Sequence, residues 1–161
     1  MNLIYLGKIV NTHGLKGEIR IISDFKFKVD VFKVNNIVYI NNNKYVIKSY
    51  RYHKIYDMIT LEGIDTIEKA EIFKGLEVFI NKEDYTFKGY LNEEIIGLDV
   101  YDDNIYKGKV IDILSNSAND LLVIDGVKKH MVPNIDEFVS KIDLDENKIY
   151  IKYIRGLDNE D

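Results

Sequence analysis

Three histidines, His13, His53 and His130, are the first side chains to test for chemistry in this chain. None stands at ligand spacing from another histidine, and there is no cysteine, so no zinc set of the usual kind can be drawn. The serines Ser23, Ser49, Ser115, Ser117 and Ser140 all lie outside a Gly-x-Ser-x-Gly elbow. Asn119-Asp120, ahead of the apolar run Leu121-Leu122-Val123-Ile124, reads either as an acid site or as a turn whose side chains bond the local backbone. The turn is the preferred reading. The loop Asn11-Thr12-His13-Gly14-Leu15-Lys16-Gly17 lacks the Gly-x-x-x-x-Gly-Lys-Ser/Thr spacing of a phosphate loop. It nevertheless gathers His13, Lys16 and Arg20, which fit either contact with a phosphate backbone or an ordinary solvated loop. No dinucleotide fingerprint is present. The expectation is therefore a protein without catalytic residues, metal or cofactor, and not an enzyme.

Two stretches interleave aromatic and cationic residues: Phe25-Lys26-Phe27-Lys28 and Tyr50-Arg51-Tyr52-His53-Lys54. Aromatics beside cations can stack bases and neutralise phosphates. A barrel strand with one wet face gives the same pattern and is preferred for both.

The elements that would position these residues are mostly strands. In the first half, strands are expected over 3–10, 18–23, 25–32, 36–40, 45–52, 56–61 and 77–80. A short helix is expected over 66–73, capped by Asp65 or Thr66 and stopped by Gly75. In the second half, a segment over 93–100 leads to a turn at Asp102-Asp103-Asn104 and a strand over 106–114. An antiparallel meander follows. Its first hairpin turns at Asp125-Gly126, a pair suited to a tight turn with positive φ. The next strand ends at Pro133, the single proline, which cannot donate to a ladder. Residues 134–139 are long enough for one helical turn, and two further strands flank Asp145-Glu146-Asn147.

At 161 residues, with 46% apolar and 30% charged side chains, the chain is expected to fold as one domain or two small ones. No apolar run approaches the roughly 20 residues of a membrane span. The first residues show no basic region followed by an apolar signal core. With the missing cysteines, this makes the cytoplasm the expected location and a membrane partner unexpected. The net charge of −5 is unevenly spread: residues 1–88 carry a net +3 and residues 89–161 a net −8. Two surfaces with different partners fit that division, as does random surface charge. An acidic domain does not bind nucleic acid by counterion release, but it can dock a basic protein. Each half is near the size at which one core supplies only about 3–5 kcal/mol, so mutual packing or a partner is expected to add stability.

Taken in order, the motifs resemble the RimM family of ribosome maturation factors over nearly the whole chain. The first half carries Gly7-Lys8-Ile9-Val10, then His13-Gly14-Leu15-Lys16-Gly17-Glu18-Ile19-Arg20, then Ala70, Lys74 and Gly75. The second half is similar to a PRC barrel. It carries Ile96-Gly97-Leu98 with Val100, Gly108-Lys109-Val110, Ala118-Asn119-Asp120-Leu121-Leu122-Val123, Val132-Pro133, Val139, Asp143-Leu144 and Gly156-Leu157.

The resemblance implies an all-β protein of two small barrels. The N-terminal barrel (1–82) would be six-stranded and like those of translation factors. A linker (83–92) would lead to the PRC barrel (93–157) and an acidic tail (158–161). It also implies a non-enzymatic assembly factor of the small (30S) subunit. Such a factor binds a basic protein of the subunit head, small-subunit ribosomal protein nineteen, and assists maturation of 16S rRNA in the immature subunit. A monomer is expected.

Candidate protein-binding residues are Tyr90, Leu91, Asn119 and Asp120; candidate RNA contacts are Lys8, His13, Lys16 and Arg20. The family often has an aromatic pair where the second domain begins. Here the residues are Tyr90-Leu91-Asn92, which offers one aromatic and, in Leu91, an apolar substitute. The main alternative is a general RNA-binding barrel protein without a ribosomal-protein partner. A small hydrolase using Asp120 or His130, and a PRC barrel tethered at a membrane, are further alternatives.

Overall fold

The structure is a computed structural model that describes residues 1–115 and 119–152. Ala118, Gly156-Leu157 and the acidic tail lie outside the described residues. The chain divides into two compact units, Met1–Lys88 and Gly89–Asp161, each built on one sheet.

The first unit is a closed six-stranded barrel. Its strands are β1 (Leu3–His13), β2 (Glu18–Ile22), β3 (Ile37–Ile40), β4 (Asn43–His53), β5 (Tyr56–Leu61) and β6 (Glu77–Asn81), in the order β1-β2-β5-β4-β3-β6. Closure depends on β1, which pairs with β2 along one edge and β6 along the other. It shifts register between Tyr5 and Gly7 and again between Ile9 and Asn11. Such bulges bend a strand enough to serve two neighbours. Inward residues alternate along the strands. Leu6, Ile9, Ile19, Ile21, Ile40, Ile47, Ile59, Leu61, Val78 and Ile80 form one buried core.

Helix α2 (Ile67–Glu71) begins where Thr66 accepts a hydrogen bond from the Lys69 amide, and it delivers Ala70 and nearby Phe73 to the core. The strand expected over 25–32 is not formed. Helix α1 (Lys28–Val31) takes its place. The alternation of phenylalanine and lysine there has another cause. Phe25 and Phe27 pack edge to face on each other, and both meet Phe87, with Phe27 stacked on it at 4.8 Å.

The second unit has one six-stranded sheet in the order β10-β9-β8-β7-β12-β11. The strands are β7 (Asp99–Asp102), β8 (Ile105–Ser115), β9 (Asp120–Asp125), β10 (Lys129–Pro133), β11 (Val139–Asp143) and β12 (Lys148–Ile151). The expected meander is interrupted. Pro133 ends β10, residues 134–138 make one helical turn closed by the Val139 amide on Ile135 O, and β11 starts at the far edge of the sheet. β12 then runs parallel to β7. All six strands and helix α3 (Asn92–Ile95) feed one core of Ile95, Leu98, Val100, Val110, Leu122, Ile124, Val132, Val139, Ile149 and Ile151, so the sheet curls around it.

The turn between β9 and β10 also differs from expectation. Asp125 stays in the ladder opposite Lys129, and residues 126–128 form the loop. Gly126 is required by close approach and not by positive φ, because a Cβ there would strike the Lys107 carbonyl.

Gly14 and Gly17 shape the β1–β2 loop in different ways. Both have positive φ, +76° and +83°, but a Cβ on Gly14 meets nothing within 4 Å. A Cβ on Gly17 would lie 2.7 Å from Ile64 O and 2.9 Å from Thr66 O. Gly14→Ala is therefore expected to cost only the left-handed strain, about 1–2 kcal/mol. Gly17→Ala is expected to cost clearly more. Urea midpoints of the two variants check this, and equal losses would contradict the contact.

Candidate functional site

The four RNA-side candidates sit on β1, β2 and the loop between them. His13 pairs with Glu18 across the β1–β2 ladder, and Arg20 follows on the same strand. Arg20 Nη2 lies 2.7 Å from His13 Nδ1, and the guanidinium covers the Tyr56 ring at 5.4 Å. Arg20 Nε is buried and has no hydrogen-bond partner among the described residues. Lys8 and Lys16 are exposed. The structure thus brings His13 and Arg20 together and leaves Lys8 and Lys16 as solvated cations nearby in the chain.

A residue the sequence did not single out by itself completes this group. Arg51 on β4 registers with Met58 on β5, as Arg20 does from the other side. Arg51 donates from Nε and Nη2 to the two Glu18 oxygens, both at 2.8 Å, a bidentate fork. Those hydrogen bonds hold the Glu18 carboxyl below its ordinary range, aided by the charges of Arg51, His13 and Arg20 and opposed by burial.

A second group lies at the end of the same barrel. The Asp57 carboxylate is fully buried. It accepts from Lys28 Nζ at 2.9 Å and from Tyr50 Oη at 2.7 Å. Lys28 also donates to Ser23 O at 3.1 Å and stands 5.0 Å over the Tyr52 ring. Tyr50 stacks on Phe32, centroids 5.5 Å apart. Burial, followed by the bond to Asp57, pushes the Tyr50 phenol well up. Nothing in the sequence marked Asp57, because its partners lie 29 and 7 residues away.

The protein-side candidates fare differently. Tyr90 packs partly buried against the core of the second unit. Leu91 is 2% exposed, so it is not offered to a partner as an apolar substitute for an aromatic; this corrects the expectation. It leads into α3, with its amide donating to Glu94 Oε1 at 2.8 Å. Glu94 is three residues on, the spacing of a capping box, which is the signal that points to a helix start instead of a contact. Asn119 precedes β9 and Asp120 opens it, both half-buried, with Asp120 opposite Ser115 and its carbonyl accepting from the Asn134 amide.

An open cavity of about 690 Å³ in this unit is lined by Asp102, Asp103, Ser140, Lys141, Tyr150 and Lys152 among others, and neither Asp120 nor His130 reaches it. His130 is buried on β10 opposite Ile124. Among the described residues, no group of three or more His, Asp or Glu is placed to hold a metal, and no helix is long and apolar enough to cross a membrane.

Comparison with known proteins follows the same division. Residues 4–85 match the RimM N-terminal domain and residues 92–157 the RimM PRC barrel domain. A ribosome maturation factor RimM of Ligilactobacillus salivarius is 44% identical over 98% of this chain and 100% of its own length. One of Staphylococcus aureus is 37% identical over 96% of this chain and 98% of its own. Among solved structures, a RimM protein of Pseudomonas aeruginosa aligns at 22% identity and a TM-score of 0.46, covering 95% of this chain and 98% of that one. The solution structure of the N-terminal domain of RimM from Thermus thermophilus aligns at 21% identity and 0.47, covering 55% of this chain and all of the domain.

The Glu18–Arg51 fork generates a pH dependence. A carboxyl held low in the folded state contributes stability that is present above its unfolded value and lost as pH falls through the folded one. Thermal unfolding of the native chain between about pH 5 and pH 3 is expected to lose stability more steeply than that of Glu18→Gln. Added salt should shrink the difference, because Arg51 is exposed. Parallel curves would remove the fork from the stability balance.

Proposed function

The chain belongs to the RimM family, and from that premise we propose that it is a non-catalytic maturation factor of the small ribosomal subunit. In this reading the acidic second unit binds a basic protein of the subunit head, small-subunit ribosomal protein nineteen. The basic first unit contacts the 16S rRNA of the immature subunit. The protein works as a cytoplasmic monomer, holding its partners in place as an assembly chaperone does.

The observation that carries the proposal is the charge division, which coincides with the two structural units. Met1–Lys88 carries a net +3 and Gly89–Asp161 a net −8. Opposite potentials on two separate bodies steer two chemically opposite ligands, a polyanion to one and a polycation to the other. On the protein side, Tyr90, Asn119 and Asp120 are the proposed contacts, and Leu91, being buried, is not one of them. On the RNA side, Lys8 and Lys16 are the exposed cations. Arg20 is already engaged by His13 and Tyr56, so it shapes that surface more than it reaches from it.

Calorimetric titration of the full chain with the basic head protein of the same organism tests the first half. Micromolar or tighter binding that weakens with added salt is expected. No heat of binding at either of two salt concentrations would overturn it. For the second half, Lys16→Glu is expected to lower the slope of log K for ribosomal RNA against log salt by roughly 0.7–1. An unchanged slope would remove Lys16.

A further inference from the structure

Strand β4 is anomalous in its exposure. Residues 48–53 are exposed at every position, on both faces of the strand. Between Asp30 and Asp57 the sequence has no carboxylate, while it has Lys33, Lys44, Lys48, Arg51 and Lys54. All five of these cations are exposed. Arg51 is tied to Glu18.

Two aromatics stand in this stretch. Tyr50 pairs with Ile59 and Tyr52 with Asp57, and cross-strand partners share a face. Ile59 and Asp57 are buried, so Tyr50 and Tyr52 lie on the inward face of β4 where it runs past the core at the barrel end. Residues i and i+2 of a strand are about 6.6 Å apart. Tyr52 is 57% exposed and Tyr50 37%. Each ring is held from one side, Tyr50 by Phe32 and the Asp57 bond, Tyr52 by Lys28 above it. The fully buried Asp57 is thus the anchor of an aromatic pair that solvent still reaches.

We propose that β4 is a track for single-stranded RNA, with Tyr52 and Tyr50 stacking two successive bases and Lys48, Lys54 and Lys44 following the phosphates. This rests on the reading that the first unit contacts ribosomal RNA, and extends that contact from the β1–β2 loop to β4. A single strand fits because splayed bases can reach rings two residues apart on a strand, whereas a duplex buries its bases and offers only backbone. An acidic protein segment would use the lysines and leave the rings without a role.

Fluorescence anisotropy of the full chain with a short, labelled single-stranded RNA of mixed sequence tests this. Tyr52→Ala is expected to weaken binding at least about fivefold with the salt slope unchanged, and Tyr52→Phe to retain native affinity, because stacking needs the ring and not the hydroxyl. Lys48→Gln with Lys54→Gln should lower the salt slope by ~0.7 for each cation removed. Tyr52 is exposed, and matching circular dichroism and melting temperature would show that the variants fold. If native RNA binding is intact, Tyr52→Ala stays within twofold and Lys16→Glu abolishes binding, the RNA reading survives and the β4 track is overturned. If the native chain binds no single-stranded RNA, both fail. Equal affinity for the same RNA in a duplex, or equal competition by polyglutamate, would also overturn the track.

Discussion

A carboxylate with no exposed surface organises the end of the first barrel. Asp57 is inward-facing on β5, where a charged group would be costly without partners. It has two, Lys28 from helix α1 and the Tyr50 hydroxyl from β4, at 2.9 and 2.7 Å. These bonds do three things at once. They tie α1 over the barrel, where Val31 and Phe32 join the core. They fix the tilt of Tyr50 against Phe32, and they set Lys28 above Tyr52. Removing the carboxylate would leave Lys28 without its counter-ion in a partly buried place, a change of a kind that typically costs about 3–5 kcal/mol. The aromatic pair on β4 is therefore built into the fold and not merely left on its surface.

Beside that constraint, the two units differ sharply in charge. The first has a stretch of 26 residues, between Asp30 and Asp57, in which every charged side chain is a cation. The second has twice as many carboxylates as cations. Neither unit needs a reacting group for the role proposed. What each needs is a stiff frame. The barrel is closed by β1, and the curled sheet by a single core drawn from all six of its strands.

Much of this was legible in the sequence. Period-two alternation gave most strands of the barrel. Asp65 or Thr66 was recognisable as the cap, which proves to be Thr66, with Gly75 as a stop and Pro133 as a strand end. The His13 to Arg20 motif falls where Arg20 meets His13 and Glu18 meets Arg51. What was not legible depended on partners distant in sequence. Phe25 and Phe27 alternate with lysines like strand residues, but they are there to meet Phe87, some 60 positions on, and the segment forms a turn and a helix. Leu91 looked like a contact because an aromatic was expected at its place; it is buried at the entry to α3, a helix start that Glu94 could have signalled. Pairing of β12 with β7 in parallel joins residues about 50 apart, and no local pattern carries it.

In the proposed division the two units take different ligands, RNA on β4 of the first and a basic protein on the second. Hydrogen-exchange mass spectrometry of the full chain, bound in turn to single-stranded ribosomal RNA and to the basic head protein, tests it most directly. RNA is expected to protect β4 and its neighbours and to leave residues 89–152 unchanged, and the protein to do the reverse. Protection of the same residues by both ligands would contradict it.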